Sequence, residues 1–295
     1  MRKIFDTFLS EEFRERVERI IIAIAITSFL LHLLVIFFVS QDIIHISSKL
    51  TKSPISAVYT PFSFILVYEV FLLVFYLPRS ISSYIGKQYE IMTLIVIRRI
   101  FKDIGNIEMS ANWFKLENDL QFTYDVLTTL ILFFLIHLFY QKIRKQAAEE
   151  TFRMPEGKLR IDKFINLKKS IAKILIPVLV VLAIYSFTIW IVSSMQDHWN
   201  NITAFKNINN IFFEDLFMLL IIINVILLLF SLFYFDSFHI IIRNSGFVIS
   251  TILIKLSFSV EGAINNALIL AAVVFGYLIL VIHNSYKKSA TSDYQ

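Results

Sequence analysis

The chain has 295 residues, of which 57% are apolar and 17% charged, with a formal charge of +5 and no cysteine. Soluble domains carry roughly 45–50% apolar residues, so this composition excludes an ordinary water-soluble domain, and the missing cysteines exclude disulfides and thiolate metal sites. The positive charge does not point to nucleic acid, because Lys and Arg gather beside apolar runs, where they report membrane orientation.

Charges of both signs alternate through Glu11, Glu12, Arg14, Glu15, Arg16, Glu18 and Arg19 before the first apolar run. That is unlike a cleavable signal peptide, so the first helix is expected to stay as an internal signal. Phe5, Phe8, Leu9, Phe13 and Val17 fall near helical spacing among these charges, which predicts an amphipathic helix along the inner membrane surface. Eight apolar segments follow, at 20–40, 55–77, 89–104, 120–141, 171–195, 212–236, 247–260 and 263–284. The longer ones reach the roughly 20 residues that cross a ~30 Å hydrocarbon core. They are expected as helices, since lipid-exposed backbone must satisfy itself. The third and seventh are short and partly polar. Before the fifth, Leu159, Ile161, Phe164, Ile165 and Leu167 predict a second amphipathic stretch, on the membrane surface or against a partner protein.

With the N-terminus inside, 20 of the 28 Lys and Arg fall in cytoplasmic segments, ten of them between Lys142 and Lys173, against five in the outer loops. This asymmetry predicts a multi-pass protein of the cell (inner) membrane with both termini cytoplasmic.

The two halves resemble each other. Gln41-Asp42 closes the first apolar segment as Gln196-Asp197 closes the fifth, Phe75-Tyr76 matches Phe233-Tyr234, and IHLFYQK at Ile136–Lys142 matches IHNSYKK at Ile282–Lys288. The fold class expected is an all-α integral membrane protein of about eight spans, arranged as two parallel four-helix repeats, residues 1–145 and 146–295.

Ionisable groups inside a span cost about 2.5–3.5 kcal/mol each and usually face the bundle interior with a partner. Glu69 in the second segment and Arg98 and Arg99 in the third stand at equal predicted depth, so a Glu69 to Arg98 or Arg99 ion pair is the expected contact. In the second half Lys255 stands near the depth of Asn224, neutral, snorkelling or paired with Glu69. These five residues either line a polar path for ions or protons or form static buried pairs that fix helix register. His137 and His283 hold matching positions near the inner ends of the fourth and eighth segments, as a proton relay or as interfacial polar tips. Asp125 is placed to meet Lys102 or Lys115, or to be solvated at a helix end. Asp42 with His45 and Asp197 with His198 fit helix capping better than metal ligation, and no metal or cofactor is expected. The tripeptide at 201–203 is a glycosylation sequon. No nucleophile elbow, zincin motif or Gly-rich phosphate loop occurs, so no enzyme is expected.

The stretch YEVFLLVFYLPRSISSYIGKQYEIMTLIVI, Tyr68 to Ile97, places Glu69 and Glu90 on successive segments around a short loop. It resembles the voltage-sensor-like modules of ion channels, at the acidic positions of that family's second and third helices. The resemblance implies a four-helix scaffold in each half. The family's fourth helix carries Arg or Lys at every third position, and neither 120–141 nor 263–284 does, which removes the charges voltage would act on. Two functional expectations follow: a channel or transporter-like protein with a polar path at the bilayer midplane, or a non-catalytic scaffold or sensor whose basic cytoplasmic loop binds a partner or anionic lipid.

Overall fold

Among the described residues the first helix is capped by Ser10, whose hydroxyl accepts from the Phe13 amide at 3.2 Å, with Glu11 and Glu12 in the first turn at the positive end of the helix. The computed structural model describes residues 10–43, 54–104, 117–151, 158–196, 208–234 and 238–292. Phe5, Phe8, Leu9, His45, Lys115, Asp197, His198 and the sequon lie outside them.

The described residues are helical, with no strand among them. In chain order the helices are α1 (Glu11–Ser40), α2 (Tyr59–Tyr76), entered through a 3-10 turn at Pro54–Val58, α3 (Ile81–Asp103), α4 (Glu117–Thr151), α5 (Lys158–Gln196), α6 (Ile208–Tyr234), α7 (Phe238–Ser257) and α8 (Gly262–Ser292). Five of them, α1, α4, α6, α7 and α8, contain stretches long and apolar enough to cross a membrane, and α2 is a shorter apolar helix. Apolar side chains stand outward along them, among them Leu30, Phe37, Leu130, Phe233 and Leu278. A surface of this kind needs lipid rather than water around it.

The described parts of the amphipathic stretches belong to longer helices. Residues 11–19 continue without a break into α1, and 158–170 into α5, whose 39 residues run on through Pro177. At 1.5 Å per residue α5 extends about 58 Å, well beyond a ~30 Å core, so its charged first turns project past the apolar run.

The helices group into two compact units. One comprises Met1–Phe75 with Gly86–His137, the other Tyr76–Ile85 with Leu138–Gln295. In the first, the start of α1 is fixed against α2: the Phe13 and Phe71 rings lie 6.0 Å apart, Arg14 stands 5.8 Å from the Phe75 ring centroid, and the Tyr68 hydroxyl donates to Glu18 at 2.8 Å. In the second, α5 packs on α6, α6 on α7 and, most closely, α7 on α8. A Cβ on Gly246 would come within 2.6 Å of both γ carbons of Ile279, so α7 and α8 approach where a missing side chain allows it.

The polar character of α3 and α7 has a packing cause. Tyr84, Tyr89, Met92 and Val96 of α3 are buried together with Gln88, Thr93 and Arg98, and α7 buries Asn244, Ser250, Thr251 and Ser257 beside Phe247 and Ile254. In α7, Asn244 and Ser250 donate to Ser231 and to the Ala272 carbonyl of the helices beside it, so that helix does not need the unbroken apolarity of a lipid-facing one.

Candidate charge-pair sites

α2 and α3 are joined by the turn at 77–80, where the Arg79 and Ser80 amides donate to the Tyr76 carbonyl at 3.0 and 3.2 Å. Counted from this turn, Glu69 on α2 and Lys87 on α3 both stand about 10 Å along their axes. Lys87 Nζ lies 3.5 Å from Glu69 Oε2 and in closer contact with Glu90, one turn further on. One ammonium therefore bridges two carboxylates.

The expected pairing of Glu69 with Arg98 or Arg99 does not form. The reason is the start of α3, which begins at Ile81, not at 89. Eight added residues carry Arg98 and Arg99 about 12 Å further from the turn and bring Lys87 to the depth of Glu69. Arg99 instead makes a two-point pair with Asp125 of α4, Nε to Oδ2 at 2.5 Å and Nη2 to Oδ1 at 2.6 Å, while Gln121 Nε2 donates to Oδ1 at 2.7 Å. Asp125, placed in the sequence near Lys102 or Lys115, is fully buried and belongs to Arg99. Arg98 is buried on the same turn of α3.

The same shift acts in the second unit. α7 begins at Phe238, not at 247, so Lys255 stands near the far end of its helix, about 25 Å from the α6–α7 connection. There it meets Glu214 of α6 at 3.1 Å. Asn224 lies deeper and donates to the Thr251 hydroxyl at 2.8 Å. One step further, Asn244 donates to Ser231 at 2.8 Å. Three polar contacts thus follow one another along α6 and α7.

His137 and His283 are not equivalent. His137 is exposed, whereas His283 is buried, with Nδ1 2.8 Å from the His239 carbonyl and its ring 5.0 Å from the His239 ring. Among the described residues no group of three or more His, Asp or Glu is placed to hold a metal ion.

Lys87, Glu214 and Thr251 were not singled out in the sequence, and Glu90 was placed there only by the voltage-sensor-like resemblance. Lys87 and Glu90 carry a local signal, since residues three apart share a helix face. Glu214 carries none, because its role follows from where α7 ends.

Lys168, on the charged part of α5, is buried, with Nζ 5.4 Å from the centroid of the Phe164 ring. Burial, and then the nearby charge of Arg243, push this lysine down to about 8 from its ordinary 10.5. Phe164 packs on Tyr234, the last residue of α6, at 5.9 Å between ring centroids.

Comparison with protein-family models, curated proteins and solved structures finds no match to this chain.

Proposed function

We propose that the chain is an eight-span protein of the cell (inner) membrane, two parallel four-helix repeats with both termini cytoplasmic, acting as a non-catalytic scaffold or sensor that engages anionic lipid through its basic cytoplasmic face. The observation that carries this reading is the closure of its internal charges. Glu69 with Lys87, Arg99 with Asp125, and Lys255 with Glu214 are each tied within their own unit. Charges closed in this way fix helix register without offering a mobile ion a vacant partner. The repeat is supported by placement: Arg98 stands as far along α3 from Ile81 as Lys255 along α7 from Phe238, about 25 Å in both. Eight helices at the positions of the eight apolar segments support the span count.

The test is reconstitution of the full chain into liposomes, with ion flux and lipid retention read together. The expected result is no flux above protein-free liposomes under any imposed gradient. Phosphatidylglycerol should also be retained over phosphatidylcholine through detergent extraction, and lost when Arg144, Lys145, Arg153, Lys168 and Arg243 are neutralised together. Flux above background would reject the reading, as would equal retention of the two lipids.

A second reading, a channel or transporter-like protein with a path lined by Glu69, Arg98, Arg99, Asn224 and Lys255, is favoured by the succession of polar contacts along α6 and α7. It requires flux that Asn224→Leu and Glu214→Gln abolish.

A further inference from the structure

We infer that Lys168 and Arg243 form a binding site for the phosphate of an anionic phospholipid headgroup, set where the charged start of α5 packs on the end of α6, four residues before α7 begins. This rests on the proposed membrane reading and names the ligand of its basic face.

Three helices build the site. α5 supplies Lys168 and Phe164, both buried, with the ammonium over the ring at 5.4 Å. α6 ends at Tyr234, whose ring packs on Phe164. α7 begins at Phe238, so Arg243 lies on its second turn, with Nε donating to Asn244 Oδ1 at 3.2 Å, which orients the guanidinium plane. Lys168 is only 5% exposed, and the charged neighbour it feels is another cation. Among the described residues no carboxylate forms an ion pair with it. Lys163, Lys169 and Asp162 on the same helix are exposed.

A buried lysine without a carboxylate partner is an unfavourable arrangement unless an anion completes it. The first-turn amides of α7 add positive potential at the same end of that helix. A phosphate at this level can take both cations, with arginine supplying the planar fork and lysine the point charge.

The depth identifies the source of the phosphate. Lys168 precedes the apolar run of α5 by three residues, and Tyr234 closes that of α6, which is the level of headgroups and interfacial aromatic rings. A zwitterionic headgroup would bring its own ammonium toward two cations. A phosphodiester lacking an amine, as in phosphatidylglycerol, does not.

The experiment uses the full chain in nanodiscs of mixed phosphatidylglycerol and phosphatidylcholine, extracted into mild detergent. Lipid carried per protein is read by mass spectrometry. Lys168→Met and Arg243→Gln are each expected to lower phosphatidylglycerol retention about tenfold, while Lys168→Arg keeps it within about twofold. Lys168→Met keeps the length of the buried side chain and removes its unneutralised charge, so it should fold, with unfolding temperature in pure phosphatidylcholine as the check. Wild-type retention in both variants would overturn the site. If the neutralised loop variant Arg144→Gln/Lys145→Gln/Arg153→Gln loses retention at the same time, the broader lipid-binding reading survives the failure of this site. No preference for phosphatidylglycerol in wild type would overturn both. Displacement of the lipid by millimolar inorganic phosphate, with retention of phosphate itself, would overturn the headgroup assignment in favour of a free-phosphate site.

Discussion

Arg99 and Asp125 face each other through two parallel hydrogen bonds of 2.5 and 2.6 Å, and the carboxylate is fully buried. Planar guanidinium and planar carboxylate match in this geometry, and Gln121 at 2.7 Å takes up further acceptor capacity of Asp125. Removing Arg99 would strand a buried negative charge. Arg99→Leu is therefore expected to destabilise the protein by about 3–5 kcal/mol. The double replacement Arg99→Leu/Asp125→Leu should cost markedly less than Arg99→Leu alone. Unfolding in mild detergent, followed by tryptophan fluorescence, checks both, and equal losses would remove the pair from the account.

Lys87 is shared by two carboxylates, so its loss exceeds the loss of either. Lys87→Met leaves Glu69 and Glu90 facing each other without a cation, whereas Glu69→Gln keeps the contact of Lys87 with Glu90. The expected order of stability is wild type, Glu69→Gln, Lys87→Met, with Lys87→Met about 2–4 kcal/mol below wild type. The reverse order of the two variants would contradict the shared ammonium.

Lys168 gives a pH dependence of known sign. Its folded value of about 8 lies below the ordinary 10.5, so the unfolded chain holds one more proton between the two. The cost of the buried charge is fully present below pH 8 and is relieved as pH rises from about 8 to about 10.5. Stability in phosphatidylcholine nanodiscs should rise across that window in wild type and lose this rise in Lys168→Met. A rise of equal size in the variant would assign it to another group.

Gly246 tests the close approach of α7 and α8. A methyl group there meets the γ carbons of Ile279, which are fixed near its backbone and cannot swing away cheaply. Gly246→Ala is expected to cost about 1–3 kcal/mol. Much of that should return when Ile279→Ala is added, a coupling measurable by a double-mutant cycle.

Asn224 and Thr251 form a hydrogen bond between α6 and α7 in buried surroundings. Thr251→Val removes it with little change of volume. Interhelical hydrogen bonds of this kind contribute about 0.6–2 kcal/mol in membranes. A loss well above that range would mean that Asn224 is left without an alternative acceptor.

Some of this molecule was legible from residue order. Among the described residues the eight apolar segments fall in eight helices, five of them long and apolar enough to cross a membrane, and an apolar run of span length has one efficient way to close its backbone hydrogen bonds in lipid. The polar helices were placed with less accuracy. Residues 81–88 and 238–246 contain Ser, Lys, Gln, Arg and Asn, and hydropathy reads them as loops, yet they are helical, with Lys87 and Asn244 meeting Glu69 and Ser231 of the helices beside them. From that one displacement came every misassigned contact, since depth along a helix decides which charge meets which.

The sequence by itself determined that the protein needs lipid, where its apolar helices lie and which ionisable residues stand within them, because these follow from the transfer energies of single side chains and from local hydrogen bonding. Only the tertiary structure decided the pairing of Glu69 with Lys87, Arg99 with Asp125 and Lys255 with Glu214, and the burial of Lys168 over the Phe164 ring. A charge pair forms across a few ångströms between different helices, and those separations depend on where each helix starts and which neighbour it packs against.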